Sequence, residues 1–174
     1  MVDLTTTDII ARLALATLLS SLVGMEREWR EKPAGIRTNV MVGLGACLFT
    51  MASAQTPGLW PDVRPIDPGR IAAQIVSGIG FIGAGAIIFR SREGAVFGLT
   101  TAATLWVVAG LGLAVGYGFY LEAIIATAMV FFTFFVLGRL VNMIRVKRGS
   151  RRYVRQLMDE NHPEMSGMNA GDDE

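Results

Sequence analysis

Residues 71–89 read Ile-Ala-Ala-Gln-Ile-Val-Ser-Gly-Ile-Gly-Phe-Ile-Gly-Ala-Gly-Ala-Ile-Ile-Phe, without a single charge. At about 1.5 Å per residue, a helix of this length crosses a hydrocarbon core of roughly 30 Å. Gly78, Gly80 and Gly83 stand in GxGxxG spacing. That spacing binds a dinucleotide only in a turn between a strand and a helix of a βαβ unit, and none is present here. In a membrane span, small residues instead let helix backbones approach closely. Ala73, Ser77, Gly80 and Ala84 form one small stripe, and Gly78 and Gly85 another. Small faces on both sides predict a central span packed through Ser77, Gly78, Gly80, Gly83 and Gly85.

Four further apolar blocks, 9–24, 38–54, 99–115 and 119–141, flank this one on either side. Only 18% of the 174 residues are charged, and they lie almost entirely between or after the blocks. This segregation excludes an ordinary soluble domain and predicts an all-α, polytopic membrane protein of five transmembrane helices. The expected organisation is a transmembrane domain over 1–144, then a basic juxtamembrane segment and a disordered tail over 145–174. Thr104, with Thr100, Thr101 and several alanines and glycines, makes helix four a second inner helix. Phe131, Phe132, Phe134 and Phe135 suit helix five to lipid or to a wide partner surface.

Short loops rich in Lys and Arg stay in the cytoplasm. Arg27, Arg30, Lys32 and Arg37 mark the first connection, Arg90 and Arg92 the third, and Arg145, Lys147, Arg148, Arg151, Arg152 and Arg155 the tail. The N-terminus is therefore expected outside and the C-terminus inside. Thr5 and Asp8 form a helix-start signature, with Arg12 spaced to pair with Asp8 and to snorkel at the outer interface. Asp67-Pro68-Gly69 marks the start of helix three. Trp60, Tyr117 and Tyr120 at one boundary and Trp29 at the other fit aromatic belts. Cys47, the lone cysteine, lies within a span.

The densest polar constellation is Gly24-Met-Glu-Arg-Glu-Trp-Arg30, followed by Ala34-Gly-Ile-Arg-Thr-Asn39. Arg30, Glu31 and Lys32 read as a solvated loop. Glu26 and Arg27 abut an apolar block, where a charge requires a partner. The expected cluster pairs Glu26 and Glu28 with Arg37 and Arg90. Glu26 and Glu28 are also the candidate ligands for a hard cation such as Mg²⁺, although the neighbouring arginines compete for the same oxygens and favour salt bridging. Gln74 and Glu122 are the remaining candidates for a pathway, with interhelical or interfacial roles as the simpler reading. No phosphate loop or cysteine–histidine arrangement is present, and His162 stands alone in a polar tail. An enzyme, a nucleic-acid partner and a bound cofactor are not expected.

Taken together, the 24–28 and 34–38 segments, Val42-Gly-Leu-Gly-Ala46, 70–85 and Gly98-Leu-Thr-Thr-Ala-Ala-Thr-Leu-Trp106 resemble the MgtC/SapB family of bacterial inner-membrane proteins. The resemblance covers residues 9 to about 141 in order. It implies a multi-helix membrane domain tied to growth in low magnesium, to virulence through survival inside macrophages, and, for some members, to inhibition of the F-type ATP synthase. Many members carry a soluble C-terminal domain, which is not expected here. Carried onto this chain, the family's polar positions are Glu26, Arg27, Glu28, Arg37, Thr38, Gln74, Arg90, Thr100 and Thr101. The expected function is regulatory binding of a membrane partner, ATP synthase being the candidate. The alternatives are a magnesium or other cation transporter, and a homodimer built on helices three and four.

Overall fold

The computed structural model describes residues 4–59, 67, 69–88 and 97–139. They form five helices: α1 (Thr6–Trp29), α2 (Ile36–Leu59), α3 (Gly69–Ile88), α4 (Leu99–Tyr117) and α5 (Tyr120–Phe132). Each supplies an apolar stretch long enough to cross a membrane; for α5 that stretch runs on to Leu137. Among the described residues there is no strand. The chain divides into two compact units, Met1–Val130 and Phe131–Glu174. Of the second, residues 131–139 are described: a π-helical turn over Thr133–Leu137, beside which Phe131 and Phe135 stack with ring centroids 6.1 Å apart. The expected tail over 145–174, with half of the basic residues that set orientation, lies outside the described residues, as do Arg90 and Arg92. So does Trp60.

Local chemistry fixes the helix ends. The Thr5 hydroxyl accepts the Asp8 N–H at 3.2 Å, and the Asp8 carboxylate accepts the Thr5 N–H at 3.0 Å. Two donors that a helix start leaves unsatisfied are thereby paired, forming the expected capping box. Asp67 accepts the Gly69 N–H at 2.8 Å where α3 begins. α4 is bracketed by Gly98 and Gly118, with φ of 89° and 92°, a left-handed conformation that costs glycine little.

Within the first unit, α4 is the central helix. It packs on α1, α2 and α3, and half of its span is buried. α1, α2 and α4 meet through small residues: Gly43 lies against the Ser20 hydroxyl, Gly112 against the Gly43 carbonyl, and Gly116 against Thr50 and the Cys47 carbonyl. A side chain at any of these glycines would force the helices apart. In hydrocarbon this close contact, rather than hydrophobicity, holds helices together. Thr50, Thr104 and Thr127 direct their buried hydroxyls to the carbonyls four residues earlier, at 2.7–2.8 Å, which satisfies them inside the apolar core.

The central place expected for α3 is not found. α3 leans on α4 and barely touches α2, and of its side chains over 69–87 only Ile79 and Gly83 are buried. Ile79 joins Ala46, Leu105 and Ala109 in one apolar cluster. Gly83 meets Ala102 at ordinary contact distance, but Gly78, Gly80 and Gly85 face open space and Ser77 is exposed. The reason is the solvent. Lipid is as apolar as a protein interior, so a small apolar face signals the capacity to pack without showing that packing occurs.

Candidate functional site

α1 does not end where its apolar block does. It runs on to Trp29, so Glu26 and Arg27 are helical and turn inward, only 5% and 4% exposed. Arg27 Nη2 donates to Thr101 Oγ1 on α4 at 3.1 Å. Glu26 Oε1 lies 2.6 Å from Arg30 Nε, one helical turn on, and its Oε2 lies 4.0 Å from Arg27 Nη1. The buried carboxylate is held chiefly by Arg30 and the buried guanidinium by Thr101, and their mutual attraction at 4.0 Å offsets part of the cost of desolvation.

A tight turn follows. The Lys32 N–H reaches the Arg27 carbonyl at 2.9 Å, with Glu31 and Ala34 held at positive φ. The turn is tied to α2 by two side chains. Glu28 Oε2 accepts the Ile36 N–H at 2.8 Å, and the buried Asn39 amide donates to the carbonyls of Ala34 and Gly35 at 2.5 and 2.9 Å. Gly35 lies against the Glu28 carboxylate and Gly24 against the Ile36 backbone, so the start of α2 is clamped onto the end of α1.

The expected pairing of Glu26 and Glu28 with Arg37 is not formed. Arg37 is exposed, and among the described residues Glu26 pairs with Arg27 and Arg30 while Glu28 caps α2. Two residues apart on a helix, the carboxylates project to different sides and do not converge on a cation. No group of three or more potential metal ligands occurs among the described residues. Arg90 lies outside the described residues. Thr100 is exposed, its carbonyl accepting the Thr104 hydroxyl. Arg30, read from the sequence as part of a solvated loop, and Asn39 also belong to the cluster, and the four-residue spacing of Glu26 and Arg30 is a legible pairing signal.

At the far end of the bundle, Arg12 lies near enough to attract the Asp8 carboxylate but forms no salt bridge with it. Its Nη1 donates to the Gly116 carbonyl at 2.6 Å and its guanidinium lies 5.8 Å from the Tyr120 ring centre, closing the end of α4. Glu122 is exposed in the first turn of α5, apart from the Glu26 cluster.

Where α2 and α3 diverge over α4, an apolar groove of about 630 Å³ opens, with Thr38 and Gly45 on one wall, Gln74 and Gly78 on the other and Ala109 in its floor. A recess of about 320 Å³ adjoins it, sharing Thr38 and Ile82 and reaching Thr101. Thr38 and Gln74 are thus brought to one surface feature, and Thr101 links it to the buried Arg27.

Five membrane-length helices, of which α1, α2 and α3 pack on α4 with a buried ionic cluster at one end, define a multi-pass helical membrane protein. The sequence profile of the MgtC family matches residues 13–143, and the chain belongs to that family. It is 44% identical over 150 residues to Protein MgtC of Salmonella typhimurium, covering 83% of this chain and 61% of the relative. To Protein SapB of Bacillus subtilis it is 45% identical over 118 residues, 67% of this chain and 50% of the relative. To a protein of Escherichia coli named as a putative magnesium transporter, YhiD, it is 44% identical over 126 residues, 71% of this chain and 58% of the relative. The chain therefore spans about half to three-fifths of the length of these relatives. No solved structure matches it significantly.

Proposed function

We propose that the chain is a non-enzymatic regulatory protein of the bacterial inner membrane. It serves adaptation to low magnesium by binding a membrane partner, with the F-type ATP synthase as the candidate. The positive-inside distribution of Lys and Arg favours an N-terminus outside and a C-terminus in the cytoplasm.

One observation carries partner binding: the small stripe Ala73, Ser77, Gly80 and Ala84 of α3 is exposed along its length, with open space over Gly80. Such a stripe admits the backbone of another helix at close range. The interior of the bundle supports the same reading over transport. Carriers place polar groups near the bilayer midplane, whereas there α1, α2 and α4 close on one another through Ser20, Gly43, Val108 and Gly112.

Transport is the second reading. It draws on the name of the Escherichia coli relative and on the buried Glu26 carboxylate. The test is magnesium flux into proteoliposomes holding the full chain, beside photo-crosslinking from position 77 in native membranes. Partner binding predicts flux no greater than in empty liposomes and a crosslink to an ATP synthase subunit, lost in Gly80→Leu. Flux that disappears in Glu26→Gln or Glu122→Gln overturns it in favour of a carrier.

A further inference from the structure

The α2–α3 groove lies on a different face of α3 from the small stripe. Ile71, Gln74, Ile75, Gly78, Ile79 and Ile82 line it at helical spacing. Its volume of about 630 Å³ falls within the usual range of small-molecule sites, about 300–1,000 Å³. From Ile71 to Ile82 it runs about 17 Å along the helix axis. That is close to one leaflet, half of a hydrocarbon core of roughly 30 Å.

Two wall residues, Thr38 on α2 and Gln74 on α3, do not suit a purely apolar filling. Gln74 is exposed on a membrane-spanning helix, yet lines the groove. It sits five residues from the start of α3, about 7 Å along the axis, and helical side chains lean towards the N-terminus, here the membrane surface. Arg70 is exposed one turn earlier, at the i, i+4 position on the same face. The groove therefore opens on a cation, Arg70, near the Asp67 carboxylate engaged by the Gly69 N–H, with a hydrogen-bonding residue just below and apolar walls beyond.

The geometry points to a phospholipid held in this groove, its phosphate on Arg70, its glycerol ester beside Gln74 and one acyl chain between α2 and α3. The sequence of chemistries down the groove matches that of a diacyl phospholipid read from headgroup to tail. Charge complementarity selects the Arg70 end, because there the basic residue and the polar wall residue share a face one turn apart, whereas at the other end Arg37 and Thr38 are consecutive and point apart. Gly45 and Gly78 make room for the chain: a Cβ at either meets nothing within 4 Å, so larger side chains there fill the groove without disturbing the bundle.

The test is native mass spectrometry of the purified full chain released from phosphatidylglycerol nanodiscs. The wild type and Gly110→Leu, whose added side chain also meets open space but lies off the groove, are expected to retain one lipid per chain. Gly45→Leu and Gly78→Leu should lower retention at least tenfold, with helical content and melting unchanged by circular dichroism. Arg70→Gln, at an exposed site that tests the contact without altering the groove, should lower it about fivefold, the effect of one basic residue at a membrane surface. Three results overturn the inference. One is equal retention in Gly45→Leu and wild type. Another is loss of lipid on Arg37→Gln in place of Arg70→Gln, which puts the headgroup at the opposite end. The third is a wild-type dimer that Gly45→Leu turns into a monomer, which makes the occupant a helix.

Discussion

Arg27 on α1 and Thr101 on α4 meet inside the bundle, guanidinium to hydroxyl at 3.1 Å, across 74 positions of sequence. The contact joins the two longest-separated helices of the buried core at the end where Glu26, Arg30 and the start of α2 also converge. A hydrogen bond to a charged group contributes about 1.5–3 kcal/mol, and more is lost when the charge stays buried without it. Thr101→Val preserves shape and removes the acceptor. It should destabilise the protein by about 1.5–3 kcal/mol in a denaturation series in detergent, while Thr100→Val at the exposed neighbour should change little.

Glu28 is placed to hold a helix start, which makes its role separable from charge. Its carboxylate accepts the first N–H of α2. Glu28→Ala should cost about 0.5–2 kcal/mol, the range for losing a cap. Glu28→Gln, which keeps an acceptor oxygen, should recover most of it. Equal loss in both variants, measured by the same unfolding series, would assign the residue an ionic role.

The glycines divide into two groups with opposite expected behaviour. A Cβ at Gly112 runs into the backbone carbonyl of Gly43, which has nowhere to go, whereas one at Gly78 meets open space. Gly112→Ala should destabilise by about 1–3 kcal/mol through overpacking. Gly78→Ala should be neutral or stabilise by up to about 1 kcal/mol, as helix propensity favours. Thermal midpoints of the two variants decide it.

Gly98 and Gly118 share a left-handed backbone but not their surroundings. At Gly98 an added Cβ stands 2.6 Å from the Ala86 carbonyl; at Gly118 its nearest neighbour is the Arg12 side chain at 3.4 Å. Left-handed φ alone costs a non-glycine residue roughly 1–2 kcal/mol. Gly118→Ala should lose about that much, and Gly98→Ala measurably more, because a backbone carbonyl cannot yield as a side chain can. Equal losses would show that conformation, not contact, governs both sites.

Much of the site could be read from the chain because membrane chemistry penalises charge so heavily. Glu26 and Arg27 abut an apolar block, and both are buried. Thr5 and Asp8 carry a local signature, and they form it. Arg37 is the expected partner of Glu26 and Glu28 because it enters the next helix; Arg30 takes that place for Glu26 because a residue four positions along the same helix reaches it without any loop closure. Arg12 was legible as a boundary residue, but its link to the Gly116 carbonyl joins residues 104 positions apart and needs the packed bundle.

The sequence by itself determined five spans and where charge is tolerated. A bilayer demands about 20 apolar residues per crossing and internal pairing of every backbone group, so length and hydropathy suffice. Tertiary structure decided that α4 and not α3 is the centre, which glycines touch a neighbour, and that a groove with Arg70 and Gln74 near its mouth lies between α2 and α3. Hydrophobicity cannot rank those choices, because lipid and protein interior are equally apolar. Only shape complementarity and a few buried hydrogen bonds distinguish them, and both exist only once the helices have met.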